Sequence, residues 1–352
     1  MKIAFFDSGI GGLSVLAEAL RRFSEAEFLY FADEDHVPYG TKSRAEIVRL
    51  SLDAVGFLVS RGADAVVVAC NTATSAAISE LRGAFSVPVI GMEPAVKLAA
   101  DSFGARPTLL IATPLTIAGE KLARLVGRLE CETWSLPLPR LVEFAQDLEF
   151  DSPAVRAYLR QELGKFELAR LGSLVLGCTH FNYFKDVLRE ILPSHVRIID
   201  GIDGTLNRLA SELDGQLKLA CGEDLPSRAT KFNTGGDIKF NANSQTGELG
   251  AIRERDGKLA VNARGVEQCD EDKCRMSQHV VDANLQLKLY SRGGADLSLE
   301  FEPRSEEAGI SRVNYPNGNS VEYFYSGRAL DAAELRKVEI FLKRLDAMRG
   351  IG

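Results

Sequence analysis

The chain has 352 residues, of which 45% are hydrophobic and 26% are charged, and its formal net charge is −7; this predicts about two globular domains and argues against nucleic acid or an anionic membrane as the main partner. No run of 18 apolar residues predicts a membrane-spanning helix, and the apolar start of the chain contains Asp7, unlike a secretory signal. The six cysteines are too sparse for a disulfide framework, so we expect reduced thiols in a cytoplasmic protein.

The first 205 residues alternate short apolar runs with longer helical segments. Continuous apolar runs of this length are typical of strands that are buried on both faces of a parallel sheet. Residues 14–23 and 45–62 have helical spacing, and the alternation predicts an α/β architecture. The predicted strands are 3–6, 28–31, 65–69, 87–90, 108–112, 173–176 and 196–199.

The segment DSGIGGLSV (7–15) directly follows the first predicted strand. Its glycines allow a tight turn and a close approach of a ligand to backbone N–H groups. It does not match the dinucleotide pattern GxGxxG, and Asp7 would repel a phosphate, so we expect no dinucleotide cofactor. Asp7 suits the binding of an ammonium group or the assistance of a nearby thiol. The alternative is that Asp7 or Ser8 caps a helix that begins near Leu13.

The segment VPYGTKS (37–43) predicts a turn. A turn through Pro38, Tyr39 and Gly40 exposes backbone N–H groups and a tyrosine hydroxyl, which together suit a carboxylate. Such turns are also common without any ligand, so both interpretations stay open.

Two segments of the chain, 66–94 and 173–203, share one plan. Each has a strand, a cysteine, one or two small polar residues, a helix, a second strand, and then a glycine and an acid. Cys70 and Cys178 fall at the same point of this plan, between strand and helix. The repeat predicts two pseudo-symmetric α/β halves that face each other, with a ligand cleft at the carboxyl ends of their strands.

The paired cysteines limit the possible chemistry. A cysteine at a helix N-terminus is near the positive end of the helix dipole, which favours its thiolate, although a lone cysteine there can also be inert core. Redox centres favour CxxC, which is absent, and a zinc site needs about four ligands, whereas only two cysteines and His180 are present here. We therefore expect no metal. Opposed acid–base catalysis by Cys70 and Cys178 remains, with a proton relay beside each thiol.

The character of the chain changes after about residue 240. Strand–turn–strand patterns with hairpin turns predict a small antiparallel β module at 241–328, followed by a helix at 331–348. Cys269 and Cys274 lie near His279 within this module. A metal site there is one interpretation, but a charged surface loop is favoured because a closed zinc site needs four ligands.

Several motifs together resemble the glutamate racemases, the cofactor-independent members of the aspartate/glutamate racemase superfamily. The resemblance covers about residues 1–240, in the right order and spacing, and it implies that the enzyme needs neither a metal nor a cofactor. It also implies that FNTGGDIKF (232–240) is the last family strand. The motifs that carry the resemblance are DSGIGGLSV, YFADEDHVPYGTKS, VVVACNTATSAAI and VLGCTH.

The resemblance also implies a role for individual residues. Cys70 and Cys178 match the two acid–base residues on opposite faces of the substrate Cα. Asp7 matches the acid that assists the first cysteine, and His180 matches the imidazole that assists the second. The residues that match substrate-binding positions are Ser8, Pro38, Tyr39, Gly40, Asn71, Thr72 and Thr179.

The segment 138–147 departs from the family pattern. Leu138 stands where the family usually has a cysteine, and Gln146 stands where it usually has a glutamate that supports the histidine. Glutamine cannot stabilise an imidazolium by charge, so His180 loses part of the support for its pKa. Glu143, one helical turn earlier, is a candidate substitute.

These observations predict two racemase domains and an insertion. The first domain comprises 1–95, 205–240 and 329–352, and the second comprises 96–204. The β module at 241–328 is inserted in the first domain and has no predicted role. We expect a homodimer that acts on a small molecule.

The predicted function is the interconversion of L- and D-glutamate by two-base proton transfer at Cα, which supplies D-glutamate for peptidoglycan. A racemase for another acidic amino acid, such as aspartate, is the first alternative, because Leu115, Gln146 and Phe181 depart from the family pattern. The second is a weakened, racemase-like binding or regulatory protein that uses the β module as its interaction surface.

Overall fold

The structure, a computed structural model, consists of two parallel sheets flanked by helices. It describes residues 1–103, 106–213, 218–219, 284–285, 287–290, 298–301, 312–315 and 317–348. The strands of these residues are β1 (Lys2–Asp7), β2 (Phe23–Ser24), β3 (Glu27–Ala32), β4 (Ala65–Val68), β5 (Val89–Gly91), β6 (Thr108–Ala112), β7 (Thr133–Pro137), β8 (Ser173–Gly177), β9 (Arg197–Ile199), β10 (Lys218–Leu219), β11 (Asn284–Leu285), β12 (Leu287–Tyr290), β13 (Ser298–Phe301), β14 (Arg312–Asn314), β15 (Ser320–Tyr325) and β16 (Arg328–Ala329).

Helices connect most of the parallel strands. The α-helices are α1 (Leu13–Arg22), α2 (Arg44–Ser60), α3 (Asn71–Ala84), α4 (Val96–Phe103), α5 (Pro114–Ile117), α6 (Glu120–Val126), α7 (Arg140–Gln146), α8 (Pro153–Leu163), α9 (Lys185–Ile191), α10 (Ile202–Glu212) and α11 (Ala332–Ala347). Short 3-10 helices span Glu34–His36, Tyr39–Thr41 and Thr179–Phe184.

The larger sheet has the order β11-β14-β15-β3-β1-β4-β5, with β16 paired to β15. Its strands β15, β3, β1, β4 and β5 are parallel to one another. The side chains of β4 are buried on both faces, as expected for a central strand of a parallel sheet that is covered by helices on each side. The carboxyl ends of these strands therefore lie along one edge, where Asp7 ends β1 and Cys70 follows β4.

The smaller sheet has the order β7-β6-β8-β9, and all of its neighbouring strands are parallel. The apolar runs predicted β6, β8 and β9. Strand β7 was missed because its sequence, TWSLP, is not a continuous apolar run and most of its residues are partly exposed. The predicted fold class, two parallel-sheet α/β domains with additional antiparallel strands near the C-terminus, is confirmed.

The last strands of the predicted β module, which was expected to end at residue 328, pair with the larger sheet. Strand β15 lies inside this sheet, where Val321 pairs with Phe28 in parallel register, and β14 pairs with β15. Strands β14 and β15 thus extend the larger sheet. Their aromatic and β-branched side chains are buried, which explains why the sheet accommodates them. The segment 232–240, predicted as the last family strand, lies outside the described residues.

The C-terminal helix was predicted at 331–348 and is observed as α11. Asp331 caps it by accepting from the Glu334 backbone N–H, and the Glu334 side chain accepts from the Asp331 N–H in return. Its buried face packs onto the second domain, where the Phe341 ring lies 5.1 Å from that of Tyr183. The Tyr183 hydroxyl donates to the Ile10 carbonyl at 2.8 Å and so connects the two domains beside the site.

The part of the chain that the structure describes contains no helix long and apolar enough to cross a membrane.

Candidate active site

The carboxyl ends of four strands from both sheets meet at one buried cleft. Asp7 ends β1, Cys70 follows β4, Thr113 follows β6 and Cys178 follows β8. Two hydrogen bonds cross the cleft directly. The Thr179 hydroxyl donates to Asp7 Oδ2 at 2.9 Å, and the hydroxyls of Thr72 and Thr113 lie 2.9 Å apart. The facing arrangement of the halves that the internal repeat predicted is therefore present.

Cys70 is the N-cap residue of α3. Its Sγ accepts from the Ala73 backbone N–H at 3.3 Å and donates to Ser8 Oγ at 3.4 Å. Burial and, to a smaller extent, the nearby Asp7 charge nevertheless raise the pKa of the Cys70 thiol to about 11. The expectation that helix position favours the thiolate is thus wrong, because desolvation of the charged form outweighs the N-cap hydrogen bond.

Asp7 is not a helix cap. Helix α1 begins after Gly12, and no side chain caps it. Asp7 Oδ1 instead accepts from the Gly9 N–H at 2.9 Å, while Oδ2 accepts from Thr179. Burial raises the pKa of Asp7 from 3.8 to about 7, against the lowering effect of these hydrogen bonds. A carboxyl that titrates near neutrality inside the cleft suits proton exchange, which favours the functional interpretation over the capping one.

Cys178 has a different local structure from Cys70. It precedes the 3-10 helix Thr179–Phe184 rather than an α-helix, and its side chain caps nothing. Its Sγ lies 3.9 Å from His180 Nδ1. Burial raises the pKa of Cys178 well above its usual 9.0, and the charge of Cys70 raises it further. The two thiols are thus close enough to influence each other.

His180 is buried, and no charged group among the described residues contacts it to hold it as an imidazolium. Burial alone lowers its pKa from 6.5 to about 4. Its Nε2 lies 3.4 Å from Gln146 Nε2 at the end of α7. Glu143 is exposed on the same helix, so the structure does not place it as a substitute for the missing carboxylate. The predicted loss of support for the His180 pKa therefore agrees with the geometry.

The other predicted residues surround the cleft. Asn71 donates to the Met92 carbonyl at 3.1 Å, and its buried Oδ1 accepts no hydrogen bond from the described residues. Ser8 contacts both Asp7 and Cys70. Thr72 and Thr179 are buried, and each lies in a hydrogen bond across the cleft.

The turn at 38–40 also reaches the site. Tyr39 is buried, and its hydroxyl donates to Asp33 Oδ2 at 2.6 Å, which together with burial raises the pKa of Tyr39 above its usual 10. The peptide bond before Pro38 is cis. Gly40 lies against Thr113, because a Cβ on Gly40 would be 3.2 Å from Thr113 Cβ. The turn is thus packed on the second domain.

Sequence reasoning missed Asp33 and Glu34. Both follow β3 at the same edge as Asp7, and burial raises the pKa of Glu34 to about 7. Two acids directly after the predicted strand 28–31 were the available signal. Among the described residues, no group of three His, Cys, Asp or Glu side chains could hold a metal ion. The candidate metal ligands Cys269, Cys274 and His279 lie outside those residues.

Comparison with known proteins agrees with this geometry. The model of the Asp/Glu/Hydantoin racemase family matches residues 11–209. The chain belongs to this family. It is 57% identical over 267 residues to the glutamate racemase of Campylobacter curvus, an alignment that covers 74% of this chain and 98% of the relative. It is 62% identical over 217 residues to the glutamate racemase of Campylobacter concisus, covering 60% and 83%.

Solved structures of racemases share the fold. The Escherichia coli glutamate racemase, solved in complex with L-glutamate and the activator UDP-MurNAc-Ala, superimposes with a TM-score of 0.54 at 31% identity. This match covers 62% of the present chain and 85% of the E. coli chain. The racemase class predicted from the motifs is therefore confirmed.

Proposed function

We propose that this racemase interconverts L- and D-glutamate and supplies D-glutamate for peptidoglycan. The observation that carries the proposal is the pair of buried thiols, Cys70 and Cys178. They lie at the strand ends of facing domains, and each has a different polar side chain beside it. Relatives named glutamate racemase, which this chain matches over most of their length, support the choice of substrate.

The reaction needs a base on one face of the substrate Cα and an acid on the other. One thiolate takes the α-proton and becomes a thiol, and the C–H electron pair stays on Cα as a planar carbanion that the carboxylate delocalises. The opposite thiol then donates its proton to Cα and becomes a thiolate. The substrate is neither oxidised nor reduced, so proton transfer to one cysteine and from the other accounts for the whole reaction.

The raised pKa values of both thiols have a consequence for this mechanism. A buried thiolate is a strong base, which helps to remove a weakly acidic α-proton. Because the thiol pKa is raised, however, only a small fraction of the protein molecules carries a thiolate before substrate binds. The substrate ammonium brings a positive charge into the cleft and lowers the pKa of both thiols. Asp7, with a pKa near 7, is placed to exchange a proton beside Cys70 through Ser8, and His180 is placed to assist Cys178.

The polar lining suits a dicarboxylic amino acid. Asn71 Oδ1, buried and without a donor among the described residues, suits the ammonium group. The hydroxyls and backbone N–H groups suit the two carboxylates. We assign these donors to Ser8, Tyr39, Gly40, Thr72 and Thr179, with Pro38 fixing the turn that presents Tyr39 and Gly40.

The decisive experiment compares Cys70→Ser with Cys178→Ser. Both variants should lose racemisation by about a thousandfold or more. In D₂O, each variant should still exchange the α-proton of the one enantiomer that its remaining thiol faces, and the two variants should select opposite enantiomers. Full racemisation by either variant, or no racemisation of glutamate by the unchanged protein, would overturn the proposal.

A racemase for another acidic amino acid is not favoured, because the relatives at 57% and 62% identity are named glutamate racemases. A substrate panel that includes aspartate checks this directly. We further infer a cytoplasmic homodimer with the domain division given above, except that residues 312–328 belong to the first domain. Sedimentation at micromolar concentration tests the dimer.

A further inference from the structure

Glu34 is a buried acid that the proton transfers proposed above do not use. It begins the 3-10 helix Glu34–His36, next to the end of β3. Its Oε1 atom is buried and accepts no hydrogen bond of normal geometry from the described residues. Burial raises the pKa of Glu34 to about 7. An incompletely satisfied buried carboxyl costs stability, so its position requires an explanation.

Gln146 connects this acid to the imidazole of His180. Burial raises the pKa of Glu34, and the neighbouring Gln146 amide lowers it. Nε2 of the same amide lies 3.4 Å from His180 Nε2. Gly9 makes room for the contact, because a Cβ at Gly9 would lie 2.4 Å from Gln146 Nε2 and 3.1 Å from Glu34 Oε1. The three side chains therefore form a continuous row that ends at Cys178.

The chemistry of this row restricts the proton of His180. An ionised carboxylate only accepts hydrogen bonds, so Glu34 requires the NH₂ end of Gln146 rather than its carbonyl. The second hydrogen of that NH₂ group is then directed to His180 Nε2, which must accept it. A neutral imidazole that accepts at Nε2 carries its proton on Nδ1, the atom 3.9 Å from Cys178 Sγ.

We propose that Glu34 is a positioning residue that acts through Gln146 to fix His180 as the tautomer with its proton on Nδ1, directed at Cys178. In this form His180 stabilises the Cys178 thiolate as a neutral donor and never needs to become an imidazolium. This fits the low pKa of His180. The inference rests on the racemase function proposed above.

The tautomer can be measured without any activity assay. The chain has four histidines, so imidazole ¹⁵N shifts of histidine-labelled protein at pH 8 are resolvable, and His180→Gln assigns the signal. The unchanged protein should show His180 neutral, with its proton on Nδ1. Glu34→Gln should move His180 toward the Nε2 tautomer, because a glutamine at 34 no longer requires the NH₂ end of Gln146. Glu143→Gln makes the same substitution on an exposed residue near the row and should change nothing.

Kinetics give the second test. L- and D-glutamate have equal free energy, so kcat/KM is equal in both directions for every variant, and the direction-specific readout is the primary isotope effect with each 2-deuterated enantiomer. Glu34→Gln should lower kcat/KM about ten- to a hundredfold. It should raise the isotope effect only for the enantiomer whose proton Cys178 removes, as identified by Cys70→Ser.

Two results would overturn the inference. One is His180 with its proton on Nε2 in the unchanged protein, a measurement that does not depend on the folding of any variant. The other is that Glu34→Gln, like the control Glu143→Gln, leaves the His180 tautomer or the isotope effect unchanged. Either result in a protein that still racemises glutamate rejects the role of Glu34 and leaves the proposed function intact, whereas absence of racemisation rejects the function itself.

Discussion

The two cysteines occupy equivalent points of the internal repeat, yet their surroundings differ. Cys70 caps a 14-residue α-helix and reaches Asp7 through the Ser8 hydroxyl. Cys178 precedes a 3-10 helix, caps nothing, and has the neutral imidazole of His180 as its polar neighbour. One thiol is therefore assisted by an acid that titrates near pH 7, and the other by a base whose pKa is lowered to about 4.

This difference shows how a symmetric reaction can use an asymmetric site. Racemisation requires only that both thiols exchange protons with Cα, and the means of adjusting each thiol are free to differ. A carboxyl beside Cys70 opposes its thiolate when ionised, whereas an imidazole N–H beside Cys178 stabilises the thiolate. Substitutions that alter one side at a time test this difference.

The largest effect is expected from Asp7→Asn, which changes the Cys70 side alone. Loss of the titrating carboxyl should lower kcat/KM by about 10²- to 10⁴-fold. The primary isotope effect should rise only for the enantiomer whose proton Cys70 removes. A similar rise for both enantiomers would contradict the assignment of Asp7 to one thiol.

The same variant should become more stable relative to the unchanged protein as pH rises. The folded-state pKa of Asp7, about 7, exceeds its ordinary 3.8, so the folded state holds a proton that the unfolded state has lost between these values. Stability is therefore lost as pH rises toward 7, by about 1.4 kcal/mol per pKa unit or of order 4 kcal/mol in total. Asparagine does not titrate. The Tm of Asp7→Asn minus the Tm of the unchanged protein should therefore be more positive at pH 8 than at pH 4. A Tm difference that does not depend on pH would contradict the raised pKa of Asp7.

An intermediate effect is expected from substitution of two adjacent glycines, of which one packs against the residue that assists Cys178 and the other against the residue that assists Cys70. A Cβ on Gly11 would lie 2.4 Å from His180 Nδ1 and 2.6 Å from Thr179 Oγ1, whereas a Cβ on Gly12 would lie 2.7 Å from Asp7 Cβ. Gly11→Ala should displace His180, and Gly12→Ala should displace Asp7, each costing about 1–3 kcal/mol of overpacking.

Each alanine should lower kcat/KM about ten- to a hundredfold, since small displacements of catalytic groups have effects of this size. Isotope effects measured on both deuterated enantiomers should rise for opposite enantiomers in the two variants. The two variants serve as controls for each other, and identical isotope effects would mean that the two sides are not separately supported.

The smallest effect is expected at Thr113, which bridges the domains and belongs to neither thiol. Its hydroxyl lies 2.9 Å from that of Thr72 and also caps α5. Thr113→Val should lower stability by about 1 kcal/mol and kcat/KM less than about tenfold, with no preference for either enantiomer. Thr113→Ser keeps the hydroxyl and should behave almost like the unchanged protein in thermal unfolding and in isotope effects.

The sequence predicts the parts of the fold and the site that depend on local pattern. Continuous apolar runs identified most central strands, and Asp7, Cys70 and Cys178 were correctly placed at strand ends because polar residues directly follow those runs. Strand β15 was assigned to the inserted module because nothing in its own residues indicates pairing with β3, far away in sequence.

The electrostatics of the site were less predictable. Helix position suggested a stabilised thiolate at Cys70, but the extent of burial, which decides its pKa, is a property of the assembled domains. The row from Glu34 through Gln146 to His180 was missed for the same reason. Its members come from two separate 3-10 helices and the end of α7, and the docking of the two domains brings Glu34 to the other two.

Strand β15 also has a consequence for the order in which the chain folds. Residues 320–325 pair with β3 in the interior of the larger sheet, and the Asn319 amide donates to the carbonyls of Leu20 and Phe23. The residues that β3 needs on this side are therefore synthesised long after β3 itself. Until they arrive, β3 presents an unpaired edge to other chains. The long sequence separation of these contacts also slows completion of the larger sheet, which cannot close before residues 320–325 have been synthesised.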